Sequence, residues 1–206
     1  MPIIAEQNET TQRELVPAGN HVARCFSMIE IGTVTTEYLG QEKNQKKVRV
    51  SWELPFKKKV FNPEKGEQPF SVNKEYTLSM YDKANLRHDL ESWRGQGFTD
   101  QEAKAFDISK LLGKACMLNI IHKESKKGNK YAQVSSITPI PEGMTCPAQI
   151  NPTFELSYAD WSDAKFQGLP DWIKKMMEET PEFQSVISGG GDVKPDVTDD
   201  DSELPF

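Results

Sequence analysis

A chain of 206 residues with 36% hydrophobic side chains has room for one domain of ordinary size, one core and some appendages. No apolar run approaches the roughly 18 residues that a membrane span needs, and the opening MPIIAEQNETTQREL lacks the basic and apolar stretches of a signal peptide, so the expected location is cytoplasmic, with no membrane partner. The formal charge of −6 argues against a nucleic-acid partner only until it is divided: Asp192, Asp196, Asp199, Asp200, Asp201 and Glu203 face Lys194 alone, which puts −5 in that segment and leaves −1 for everything before it.

Residues 1–18 are polar and without period, and read as a loose arm. From Asn20 the pattern becomes that of strands: HVARCFSMIEIGTV leads through EYLGQEKNQKK into VRVSWELPF. In that last run Val48, Val50, Trp52, Leu54 and Phe56 share one face at period two, with Arg49, Ser51 and Glu53 on the other. A lysine-rich excursion, KKKVFNPEKGEQPF, separates it from a third expected strand, KEYTLSMY, around Tyr76 to Tyr81.

A helical block follows, with Leu86, Leu90 and Trp93 at helical spacing and a capping-box arrangement of Thr99 and Glu102. DISKLLGK reads as a short helical turn closing at Gly113. ACMLNIIH and YAQVSSITPI then form a hairpin whose turn holds Lys123, Lys126, Lys127 and Lys130 around Gly128. The expected fold is therefore mainly β with helical insertions. Three strands, a helix and two strands is the order of the five-stranded oligonucleotide/oligosaccharide-binding (OB) barrel, here spanning 19–140.

Residues 141–188 read as a helical extension packing on the barrel, with Pro170 near a helix start and Trp172, Met176 and Met177 as its apolar stripe. Residues 189–206 read as a flexible acidic tail released by SGGGD.

Cys25, Cys116 and Cys146 are widely spaced and form no CxxC, so neither a disulfide framework nor a zinc site is expected; they read as reduced, mostly buried small hydrophobes. His21, His88 and His122 lie in different elements, with no HExxH, GxSxG, Walker A or GxGxxG nearby. No convergent acid, base or metal set emerges, so the expectation is a protein that is not an enzyme and holds no cofactor.

The positive signal is a basic stripe interleaved with aromatic rings. Between Gly40 and Glu75, nine basic residues (Lys43, Lys46, Lys47, Arg49, Lys57, Lys58, Lys59, Lys65 and Lys74) outnumber five acids, and the later hairpin adds its four lysines against Glu124. These segments are the ones that line the groove of an OB barrel. Lysines neutralise phosphates, and exposed rings stack on any base for about 1–3 kcal/mol, which suits sequence-tolerant binding of single strands. Tyr38, Phe61, Phe70, Tyr81 and Tyr131 are the candidate rings, whereas the parity of Trp52 assigns it to the core.

The end of the chain, DDDSELPF, resembles the acidic tip of bacterial single-stranded DNA-binding proteins. The stretch LLGKACMLNIIHKESKKGNKYAQVSSITPIP is similar to bacteriophage single-stranded DNA-binding proteins built on one OB barrel. The resemblance implies a protein that coats single-stranded DNA, with RNA not distinguished, in phage replication, recombination or repair in the host cytoplasm. It further implies a tip, Asp199, Asp200, Asp201, Glu203, Leu204, Pro205 and Phe206, that recruits replication or recombination proteins: the Phe206 ring enters an apolar pocket while the carboxylates lie along a basic rim. Ser202 and Glu203 separate the aspartates from Leu204, the linker is short, and PDWIKK has no counterpart in the bacterial domain, so the bacterial tetramer is not carried over. The alternatives are a nucleic-acid-processing enzyme, such as a metal-dependent nuclease, and a protein-binding adaptor.

Overall fold

The computed structural model describes residues 14–38 and 41–189. Five strands form one antiparallel sheet in the order β3-β2-β1-β4-β5, with β1 Gly19–Tyr38, β2 Gln41–Asn62, β3 Gly66–Thr77, β4 Ala115–Glu124 and β5 Lys130–Thr138. The sheet curls until its outer strands, β3 and β5, approach each other, which makes a half-barrel. β1 is long enough to be shared along its second edge: Gly19–Arg24 pairs with β4, and Ser27–Ile29 pairs in parallel with the short β6, Phe154–Leu156.

The period-two run of β2 fills the concave side. Val48, Val50, Trp52 and Leu54 are buried there with Leu118 and Ile120 of β4 and Val134 and Ile137 of β5. Helix α1, Asn85–Arg94, adds Leu86, Leu90 and Trp93 to the same core; Trp93 donates its indole N–H to the carbonyl of Ala115 at 3.0 Å, and its ring lies 6.0 Å from that of Trp52. Asp89 joins α1 to β3 by accepting from Lys74 Nζ at 2.6 Å and Tyr76 OH at 2.7 Å. The short α2, Asp100–Ala103, opens with the Thr99–Glu102 capping box, and a 3₁₀ turn at Ile108–Leu111 leads to Gly113, whose φ of +77° ends it.

Three local readings of the sequence are corrected. Phe56 does not share the core face: Leu54 pairs with Phe70 and Lys58 with Pro69, so Pro55, Phe56 and Lys57 form a bulge that turns the Phe56 ring outward, 63% exposed. Glu53, placed by parity on the polar face, is 0% exposed, because the loop after β5 lies over it. The lysine-rich excursion is itself sheet: β2 continues to Asn62, a 3₁₀ turn occupies Pro63–Lys65, and β3 runs from Gly66 to Thr77 rather than from Tyr76 to Tyr81. Cross-strand pairing from Lys58–Pro69 to Asn62–Gly66 outweighs a composition that reads as loop.

A second apolar cluster lies on the other side of β1. Ile29 and Ile31 meet Leu156 and three helices, α3 Asp163–Gln167, α4 Asp171–Glu178 and α5 Pro181–Ile187, through Phe166, Leu169, Ile173, Met177 and Phe183. The buried stripe of α4 is Ile173 and Met177 at i, i+4, with Met176 half-buried. Trp172, one residue round the helix, stays exposed with the Arg49 guanidinium 4.6 Å from its ring centroid. Cys25 and Cys116 are buried free thiols and Cys146 is a half-buried one.

Candidate nucleic-acid interface

Beyond Leu54, β2 leaves β1 and continues only with β3, so the β2–β3 hairpin projects from the sheet. The register of β1 on β4, with Gly19 opposite Ile120, sends the β4–β5 turn toward the same end of the molecule. Between these two hairpins lies a cleft of about 590 Å³. Phe61 and Tyr131 line it and are 52% and 42% exposed; Phe26 and Phe70 line it as well, and Phe70 holds the Phe61 ring edge-on at a centroid distance of 5.0 Å.

Lysines border the cleft on both hairpins. Lys58 and Lys59 pair across the ladder with Pro69 and Gln68, both lining residues, and Lys123 is the cross-strand partner of Tyr131, with Lys130 beside it. Lys57, Lys126 and Lys127 complete the exposed set. Among the described residues none of Lys57, Lys58, Lys123, Lys126, Lys127 or Lys130 has an ion-pair partner, whereas Lys59 pairs with Glu14. Unneutralised lysines on two sides of exposed rings set a field that attracts a polyanion, and the rings offer flat apolar surface to bases.

Other expected residues lie elsewhere. Lys46 pairs with Glu30 at 2.6 Å, Lys47 donates to Gln45 Oε1 at 2.6 Å and Thr77 Oγ1 at 2.9 Å, and Arg49 pairs with Glu75 at 2.6 Å under Trp172. All three sit toward the opposite end of β2, opposite Thr33, Gly32 and Ile29 of β1 respectively; Lys46 and Arg49 are paired with carboxylates, and Lys47 is held by two neutral acceptors. Tyr81 lines a different groove of about 750 Å³, together with Met28, Met80 and Phe106. Phe70 is buried although it reaches the cleft wall. The side chain of Tyr38 and the tip residues Asp199, Asp200, Asp201, Glu203, Leu204, Pro205 and Phe206 lie outside the described residues.

Three contributors to the cleft were not legible in the sequence. Phe26 is the extra residue of a bulge between Cys25 and Ser27, and that bulge aims its ring into the cleft. Residues 14–16 form one wall: Val16 is buried in the main core, and its carbonyl meets His122 Nε2 at 2.8 Å. Asn151 is fixed by Glu53, whose carboxylate accepts from the Ile150 and Asn151 backbone amides and from Asn151 Nδ2, each at 2.7 Å.

Among the described residues no three His, Cys, Asp or Glu side chains gather in a way that could hold a metal ion. No helix of the described residues is long and apolar enough to cross a membrane. No protein-family model matches the chain, and a comparison with curated proteins likewise finds no match.

Proposed function

We propose that the protein is a sequence-tolerant single-stranded DNA-binding protein, not an enzyme, built on an OB-type barrel, and that it coats exposed strands during phage replication or recombination. The strand order β3-β2-β1-β4-β5, the approach of β3 to β5 and a helix between the third and fourth strands support the barrel reading. The single observation that supports the function best is the convergence of two lysine-bearing hairpins on one cleft that exposes Phe61 and Tyr131. The lysines bind phosphates by releasing counterions, and the rings stack on bases of any identity. Segment 199–206, with its carboxylates and Phe206, is the element that recruits other replication or recombination proteins.

Titration of the intrinsic tryptophan fluorescence with oligo-dT and oligo-dA at several salt concentrations tests the reading. The expected outcome is similar affinity for both and a log–log salt slope of about −0.7 per phosphate contacted. Absence of binding to either oligonucleotide at low salt rules it out.

A further inference from the structure

A second cavity, of about 1010 Å³, lies on the outer face of β1, β4 and β5. Its floor follows the register of the sheet: Asn20 pairs with Asn119, Asn119 with Ser136, and Met117 with Thr138, so four polar side chains stand side by side across three strands. Asn119 Nδ2 donates to Asn20 Oδ1 at 2.7 Å; the remaining amide groups of the pair have no protein partner among the described residues. Phe56 stands at one rim and Met144 at another, and both are exposed.

Phe56 belongs to neither apolar cluster, since the bulge at Pro55–Lys57 turns its ring away from the core. On the same strand Lys57, Lys58 and Lys59 follow it, and Phe61 comes after them at the first cleft. Five steps of about 3.3 Å put the two positions at most about 17 Å apart along exposed β2, with lysines between them and a bulge at each end. None of the residues lining the second cavity is acidic, whereas the groove beneath Tyr81 contains Glu30, Asp107 and Glu155.

We infer that the second cavity is a continuation of the single-strand path: the strand leaves the Phe61–Tyr131 cleft, passes over Lys58 and Lys57, and stacks a base on Phe56 above the amide and hydroxyl floor of Asn20, Asn119 and Ser136. This rests on the reading of the first cleft as a single-strand site. A ring with an adjacent lysine supplies stacking and phosphate neutralisation together, and the amides can meet any base edge without selecting one.

Affinity is measured for oligo-thymidylates from about 4 to about 16 nucleotides, the range of site sizes for one OB fold, with wild type, Phe56→Ala, Asn119→Asp and Phe61→Ala. Short oligomers that fill only the first cleft bind Phe56→Ala as they bind wild type, and Phe61→Ala weakens them. Long oligomers bind Phe56→Ala and Asn119→Asp about tenfold more weakly than wild type, so the gain of affinity with length stops earlier. If Phe56→Ala equals wild type at every length while Phe61→Ala is impaired, the second cavity is off the path and the first-cleft reading stands. Equal weakening of Phe56→Ala at all lengths also overturns the continuation. If wild type binds no oligomer, the function itself falls and this inference with it. Light scattering on the free proteins supplies the last arm: a mass that halves on Phe56→Ala means a second copy covers Phe56, which excludes the strand.

Discussion

Glu182 closes on Thr33 through both carboxylate oxygens: Oε2 accepts from the Thr33 amide at 2.9 Å and Oε1 from the Thr33 hydroxyl at 2.6 Å. The carboxylate is buried, and it fastens α5 to β1 beside Gly32, where a bulge interrupts the ladder between Glu30 and Gly32. Tyr158 completes the latch by donating to the Ile31 carbonyl at 2.9 Å while its oxygen lies 3.0 Å from Thr180 Oγ1. Glu182→Ala leaves two donors of Thr33 without a partner and is expected to destabilise the protein by about 1–3 kcal/mol. Gly32→Ala is expected to cost at least as much: φ is +101°, and a Cβ would stand 2.8 Å from Thr180 Oγ1 and 2.9 Å from Thr180 Cβ. Urea unfolding followed by tryptophan fluorescence checks both; an unchanged midpoint for Gly32→Ala contradicts the latch.

Glu53 organises the loop that meets the cleft, so Glu53→Ala should release residues 147–153 before it unfolds the barrel. The expected result is faster amide exchange at Ile150 and Asn151, the two backbone donors it now satisfies, with slow exchange retained in β4. Uniform acceleration across the sheet would mean that Glu53 serves the core as a whole.

The two groups of basic residues should separate in salt titrations. Replacing Lys126 and Lys127 by Gln is expected to lower the oligo-dT salt slope by up to about 1.4, at about 0.7 per lost phosphate contact, with the unfolding midpoint unchanged because both side chains are exposed. Replacing Lys46 by Gln should leave the slope unchanged and cost some stability, since its ammonium already pairs with Glu30.

Alkaline pH should weaken the fold. Burial pushes the Cys25 thiol from about 9 up to about 12, and burial likewise raises Cys116, Tyr76 and Tyr158. For Cys25 the unfolded chain loses its proton first, so its contribution is complete below pH about 9 and is lost as pH rises toward about 12, at up to about 1.4 kcal/mol per pH unit. Denaturation between pH 8 and 11 should show this fall, and it should be shallower in Cys25→Ala. Alkylation of the native protein at about pH 8 should reach Cys146 before Cys25 and Cys116, which mass spectrometry of the labelled peptides would read.

On the proposed function, removing Asp199 to Phe206 should leave oligo-dT binding equal or tighter, as expected if these carboxylates compete with phosphates for the lysines, and should abolish association with the proposed replication or recombination partners. Much weaker oligo-dT binding by the truncated protein contradicts this division of labour.

What the sequence by itself determined was local and periodic. The alternation from Val48 to Leu54 placed Trp52 in the core, the spacing of Leu86, Leu90 and Trp93 gave α1 its buried face, Thr99 and Glu102 marked the start of α2, and Gly128 marked the β4–β5 turn. Each of these depends on backbone geometry or hydrogen bonds spanning a few residues, so the residues concerned carry the signal themselves.

Tertiary structure decided the rest, because bulges and long-range partners leave no period to read. One extra residue aims Phe26 into the cleft, and three turn Phe56 away from the core. Glu53 is buried because the amides of Ile150 and Asn151, nearly a hundred positions later, arrive to satisfy it. Lys46 and Arg49 look like the other basic residues in sequence, yet Glu30 and Glu75 neutralise them. Lys58 and Lys123 keep their charge facing solvent because each lies on a hairpin that extends beyond the neighbouring strands. Which lysines remain available to a ligand is thus set by which carboxylates the fold brings within about 4 Å of them, a relationship between distant segments that composition does not record.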